Sequence, residues 1–335
     1  MAIVAASSSN TIQGTGVNTP PAQLVNTLNA ITQKYIMPVL GDNVFVPSPT
    51  FWGMTRLGRK FGGGELVYPL MTLEETTGGA YWGDQLLNTA VIDSVQPADQ
   101  VWRHYYQTVA IPVTDVILNR GGTSALDVLK TKFQIASASF LQKLVRALWH
   151  TAPQNTTLDI DDIVAWVDST TNTIAGINRT TAANAWWRPP ANVAGGGVAL
   201  STTVAESAYQ TVVYGYDEPD MLIMDNVRYA GFKNNFFTNI RFTNEFQDKE
   251  AVQMGFRYHF LWNNCIVIPD RNAPANTAHI LNSRYIFPVF HEMDYFNVEP
   301  FIKPSNQRVV VSAMYLTWQL VCPSPRMNVM IANLA

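Results

Sequence analysis

Charge is scarce in this chain. Lys, Arg, Asp and Glu together make up 14% of its 335 residues, where about 25% is usual for a globular domain. Asn and Thr take their place, at 26 and 30 residues. With 22 basic groups, 25 acidic groups and a net charge of −3, no concentrated basic surface is expected, which excludes tight salt-driven nucleic-acid binding. Cysteine is nearly absent. Cys265 and Cys322 set no disulfide framework and fit a reducing compartment. No run of 18 apolar residues occurs, so no transmembrane helix and no membrane partner are expected. The opening MAIVAASSSN lacks the basic segment of a secretory signal. A soluble protein, cytosolic or bound in a particle, is expected. Apolar residues are plentiful, at 47% hydrophobic and 11% aromatic, so wholesale disorder is excluded.

Chemistry-bearing motifs are missing too. There is no phosphate-binding glycine loop, dinucleotide fingerprint, HExxH, GxSxG or CxxC. Asp159, Asp161 and Asp162 open like a calcium loop, but Val164 and Thr170 stand where Gly and Glu are needed, so a helix-capping acidic run is expected. His104, His150, His259, His279 and His291 have no metal-ligand spacing. The expectation is no catalytic residue, no metal and no cofactor. Asn155 and Asn178 form glycosylation sequons that chance explains in so Asn- and Thr-rich a chain.

What is present is an unusual order of parts. Residues 1–33 carry no charge, then Leu24, Leu28, Ile31 and Tyr35 fall on one helix face, with Pro38 as a stop. Such a short amphipathic helix needs a surface to pack on, in its own chain or a neighbouring copy. Arg56, Arg59 and Lys60 precede Gly62-Gly63-Gly64, and 61–102 then holds six acids and no Lys or Arg. Strands at 64–73 and 100–117, joined through turns and an 85–99 loop, make a long acidic β-excursion on a basic base. That arrangement suits head-to-tail docking of identical copies; an ordinary surface hairpin with uneven charge has the same pattern. Arg outnumbers Lys 14 to 8, a bias shared with buried interfaces.

After Gly121-Gly122, Ser124 is the expected cap of a helix over 124–151, with Leu126, Leu129, Phe133, Ala136, Phe140, Leu144 and Leu148 on one face and Pro153 beyond its end. Residues 172–200 read as an ordered loop and 201–215 as a helix. Met221–Met224 reads as a buried strand with Asp225 capping the next helix, 254–270 as a hairpin turning at Asn263-Asn264, and 307–322 as a second long strand. Cys265, inside a strand, reads as a small buried apolar residue. Strands and helices intersperse without a βαβ rhythm, so the class is α+β.

In this order the parts resemble a tailed-bacteriophage major capsid protein of the Hong Kong 97 type. The stretches that carry the likeness are PDMLIMDNVRYAGFK at 219–233, GFRYHFLWNNCIVIPDRNAP at 255–274 with HILN at 279–282, and NQRVVVSAMYLTWQLVCPSPRMNVMIANL at 306–334. The resemblance implies an N-terminal arm over 1–50 and an extended loop (E-loop) with its base over 51–118. It implies a peripheral domain over 119–199 with the 124–151 helix as spine, an axial domain over 200–282, and a return to the peripheral domain over 283–335. It implies no enzyme but a virion subunit assembled in the host cytoplasm. Many copies, in pentamers and hexamers, would form an icosahedral shell around double-stranded DNA without sequence-specific binding. Partners would be a separate scaffold protein, a portal and a decoration or cement protein. Contacts between copies would involve Arg56, Arg59, Lys60, Glu74, Glu75, Asp84, Leu24, Leu28, Ile31 and Tyr35. Some members crosslink an E-loop lysine to asparagine; with no lysine in 61–102, and Lys60 at the loop base, crosslinking is not expected here. Others begin with a charged scaffolding segment, which the uncharged first 33 residues do not resemble.

Two other readings stand beside this one. An encapsulin-like nanocompartment shell shares the fold and differs in cargo. A carbohydrate-active β-rich enzyme would need two acids about 5 to 10 Å apart in a cleft, with Glu292 and Asp294 as the candidates.

Overall fold

The computed structural model describes residues 48–74, 77–114, 128–150, 158–168, 172–236 and 260–335. The expected arm helix with Leu24, Leu28, Ile31 and Tyr35 lies outside them, as do Glu75, Ser124, Asp127, Asn155 and His259. In chain order the elements are α1 (Pro49–Leu57), β1 (Arg59–Phe61), β2 (Leu66–Met71), β3 (Val95–Gln100), β4 (Arg103–Pro112), α2 (Val128–Leu148), α3 (Ile163–Val167), β5 (Thr173–Ile174), β6 (Ile177–Asn178), β7 (Val193–Ala194), α4 (Thr202–Val212), β8 (Met221–Met224), α5 (Asn226–Asn234), β9 (Phe260–Trp262), β10 (Cys265–Pro269), β11 (Ala278–Leu281), β12 (Phe287–His291), β13 (Asn297–Val298), β14 (Val309–Val321) and β15 (Val329–Ala332). Short 3-10 turns occupy Ala182–Trp187 and Pro325–Met327.

The chain forms two compact bodies. Among the described residues the smaller holds 108–114, 128–136 and 300–312. Within it Ile302 and Val311 exchange two backbone hydrogen bonds of 2.8 Å, and Val113 N–H donates to the Arg308 carbonyl at 3.1 Å.

The larger body is organised by two sheets. A six-stranded sheet runs β7-β15-β11-β8-β10-β9. Its core follows from helix periodicity: Ala205, Ala208, Tyr209 and Val212 form one stripe of α4, packed with Leu222, Met224, Val267, Ala278, Ile280, Val329 and Ile331 from alternate strand positions. Ser201 caps α4 by accepting from Val204 N–H, and Asp225 caps α5 by accepting from Arg228 N–H. The β9–β10 hairpin turns where expected, at Asn263 and Asn264, whose φ angles of 44° and 64° are those of a type I′ turn. A second sheet runs β1-β12-β14-β13, with β4 also pairing on β14.

Several boundaries differ from the sequence reading. The single strand expected over 100–117 is two strands: Gln100 ends β3 and Arg103 begins β4. The break comes because Trp102 turns into a small core with Phe287, Val289 and Val321, where its indole N–H donates to the Gly63 carbonyl at 2.9 Å. The last residues of the expected 85–99 loop belong to β3. Helix α2 buries the predicted Ala136, Phe140, Leu144 and Leu148. It ends at Leu148, well before Pro153, because His150 adopts a φ of 53° and places its Nδ1 2.5 Å from Asp162 Oδ2. Asp162 also caps α3, the role expected of this acidic run. The 172–200 loop contains the β5–β6 hairpin, a 3-10 turn and β7. Helix α1 was not expected, although Ser48 caps it and Pro49 opens it.

Candidate assembly interface

Strands β2 and β3 pair antiparallel from Leu66↔Gln100 to Met71↔Val95. They form a separate two-stranded sheet. Such a ribbon is at best marginally stable alone in water, so its root must be held by other elements. Gln100 Nε2 donates to Asp161 Oδ2 at 2.7 Å and to the Leu320 carbonyl at 3.2 Å. Gln319 returns the contact, donating to the Val101 carbonyl at 3.3 Å and accepting from Asp161 N–H at 3.0 Å. Tyr68 O–H donates to Gln100 Oε1 at 3.3 Å. Asp99 N–H donates to the Ala175 carbonyl at 3.1 Å. Burial pushes the Asp161 carboxyl above the ordinary carboxylate range and the Tyr68 phenol upward. Arg179, 1% exposed, lies behind this root over the Trp166 ring. It donates to the carbonyls of Ala165 and Trp166, and burial lowers it to about 10.

The far end of the ribbon is the opposite case. Trp82 is 87% exposed, Leu86 96% and Val91 99%, and Met71, Leu73, Tyr81 and Leu87 are also exposed. The polar contacts at the tip are local, such as Gln85 N–H to the Trp82 carbonyl. Scattered apolar residues on a surface need no explanation, but seven large ones exposed within one 21-residue segment make it a candidate interaction site. The ribbon is thus held by buried polar contacts at its root and exposes large apolar residues between 71 and 91.

Arg56 lies exposed in the last turn of α1, and Arg59 and Lys60 in β1. The Arg59 guanidinium sits 4.0 Å over the Phe287 ring and the Lys60 ammonium 4.0 Å over Tyr295. These faces orient the cations without neutralising them. Glu74 and Asp84 are exposed on the ribbon. Among the described residues no ion pair joins the acidic and basic groups within one chain. The root clamp escaped sequence reading, yet polar Gln319 inside the apolar run of β14 was a signal for it.

Of the residues considered for chemistry, Asp294 and Cys265 have structural partners, and the Glu292 side chain has none among the described residues. Asp294 accepts from the Thr317 hydroxyl, and Glu292 is exposed. Cys265 is buried, as expected, with its thiol directed at the Pro219 carbonyl at 3.1 Å. Among the described residues no group of three His, Cys, Asp or Glu could hold a metal ion, and no helix is long and apolar enough to cross a membrane.

No protein-family model matches the sequence, and no curated protein is similar to it. Solved structures are. A chain of the cyanophage A-1(L) capsid superposes with a TM-score of 0.69 at 13% identity, covering 90% of this chain and 97% of that one. The chain has a phage capsid-protein fold. A chain from the capsid of a native GTA particle gives 0.57 at 9% identity, covering 90% and 96%. The SrpI encapsulin of Synechococcus elongatus PCC 7942 gives 0.55 at 10% identity, covering 88% and 92%. The mixed α+β architecture is that of these shell proteins.

Proposed function

We propose that the protein is the major capsid protein of a tailed bacteriophage, a non-enzymatic subunit that assembles into an icosahedral shell around double-stranded DNA. The observation that carries this reading is the clamped ribbon with its exposed apolar end, set in a capsid-type fold. In Hong Kong 97 terms the ribbon is the E-loop and α2 the spine helix. Residues 1–50 form the N-terminal arm, 51–118 the E-loop and base, and 119–199 with 283–335 the peripheral domain. Residues 200–282 form the axial domain, joined in its sheet by β7 and β15.

The acidic ribbon residues Glu74, Glu75 and Asp84 oppose cations of the next copy, among them Arg56, Arg59 and Lys60. Head-to-tail contacts of this kind close into rings of five and six. The arm residues Leu24, Leu28, Ile31 and Tyr35 pack on a neighbouring copy. A scaffold, a portal and a decoration protein complete the particle, which assembles in the host cytoplasm. The test is electron microscopy of the purified chain after size exclusion at physiological salt. Closed shells or rings of five and six support the reading. A monomer that persists with crowding agent and co-expressed scaffold overturns it. The encapsulin likeness favours a second reading, a nanocompartment shell, and enzyme cargo in place of DNA would select it.

A further inference from the structure

A cleft of about 310 Å³ opens on the larger body between the 3-10 turn Ala182–Trp187, the end of α4 and the 3-10 turn Pro325–Met327. Its walls are Trp186, Pro189, Pro190 and Tyr214, and its cations are Arg188 and Arg326; the rest of the lining, Ala185 and Thr211, is neutral. Arg326 lies 5.1 Å over the Tyr214 ring. Arg188 Nη2 donates to the carbonyls of Thr180 and Thr181 at 3.0 Å each, which holds the side chain but leaves its charge unbalanced. Asp217, the carboxylate of the neighbouring turn, is committed to Arg284 at 2.8 Å and to the Tyr285 hydroxyl at 2.6 Å. The cleft is therefore apolar-walled and doubly cationic, and its lining holds no acid. It suits a segment that brings one carboxylate together with an aromatic or aliphatic side chain.

The chain itself contains such a segment. Residues 61–102 carry six acids and no basic residue, and Trp82 stands two positions from Asp84 at the exposed end of the ribbon. The uncharged residues 1–33 supply no carboxylate and do not fit the same chemistry. We propose that the ribbon end of a second copy seats in this cleft, with Trp82 against Trp186 and Tyr214 and Asp84 paired to Arg326. The inference rests on the assembly reading above and assigns the ribbon end a particular landing site.

Charge exchange tests it. Arg326→Glu is expected to raise the concentration needed for shell formation at least about tenfold. Adding Asp84→Arg to that chain is expected to restore assembly. A second measurement does not depend on tolerance of reversed charge. Asp84→Cys with Arg326→Cys in one chain should give an oxidant-dependent ladder of linked copies, because native Cys265 and Cys322 are buried. Wild-type shells together with unchanged assembly of Arg326→Glu would overturn the landing site and leave the capsid reading intact. So would shells of the double-cysteine chain that form no ladder, or a charge exchange that fails to rescue. Failure of the wild-type chain itself to assemble would overturn the capsid reading instead.

Discussion

Gln100 Nε2 and Asp161 Oδ2 meet at 2.7 Å across 61 positions of sequence, and this contact joins the ribbon to the body. Gln100 is 3% exposed. Replacing it with Ala removes one donor from the buried Asp161 carboxylate and one of the two side-chain donors to the Leu320 carbonyl, the Trp166 indole N–H being the other, at a cost of about 1–3 kcal/mol. The expected outcome is a lower urea midpoint and faster hydrogen exchange over 66–71 and 95–100. Unchanged exchange there would show that the ribbon is held by the Trp102 cluster instead.

His279 lies at the centre of the six-stranded sheet, opposite Ile223 and Met330, with its ring 5.3 Å from Trp149. Among the described residues neither ring nitrogen has a hydrogen-bond partner, and burial lowers its pKa from 6.5 to about 4. Between those values the unfolded chain binds more protons than the folded one, so this residue's contribution to stability is full above pH 6.5 and is lost as pH falls toward 4. The interval corresponds to about 3 kcal/mol. Burial raises Asp161, Asp162 and Asp220, which gives the opposite slope: their contribution falls as pH climbs above the ordinary carboxylate range. Those groups are common to wild type and His279→Leu, so the difference between the two chains isolates the histidine. Urea unfolding from pH 7 to 4 should show the variant gaining on wild type by about 3 kcal/mol; parallel curves would refute it.

Trp82 and Leu86 touch little of their own chain. Trp82→Ala combined with Leu86→Ser is expected to leave urea stability within about 0.5 kcal/mol while abolishing or strongly impairing shells under the microscope. A loss of stability equal to the loss of assembly would return these residues to an intramolecular role.

Arg59→Glu with Lys60→Glu reverses two cations that rest on Phe287 and Tyr295. Assembly followed by light scattering should slow by about tenfold or more at low salt, and the difference should narrow as salt is raised. A difference that ignores ionic strength would point to lost ring packing as the cause.

Leu144, fully buried on α2, tests the long helix. Leu144→Ala is expected to cost about 2–5 kcal/mol in urea unfolding. A cost under about 1 kcal/mol would show that this face is not packed as described.

Elements set by local rules were legible in the sequence. The helix α4, the Asp225 cap, the Asn263-Asn264 turn and the buried Met221–Met224 strand each follow from periodicity or backbone chemistry within about ten residues. The division of 100–117 was not legible, because it depends on Trp102 meeting Phe287 and Val321 far along the chain. The end of α2 was misplaced because a histidine at positive φ, rather than a distant proline, stops it. For the interface, charge separation between 56–60 and 61–102 was visible directly. The Gln100, Asp161 and Gln319 clamp was not, since its members lie on three remote segments and one of them looked like a failed calcium loop.

That clamp has a consequence for timing. Gln100 finds its acceptor on Leu320 across 220 positions of sequence. At translation rates of about 5–20 residues per second, the ribbon leaves the ribosome roughly 10 to 45 s before the strand that completes its anchorage. Until Leu320 is made, the ribbon root has its earlier partners Asp161 and Ala175 but lacks this acceptor.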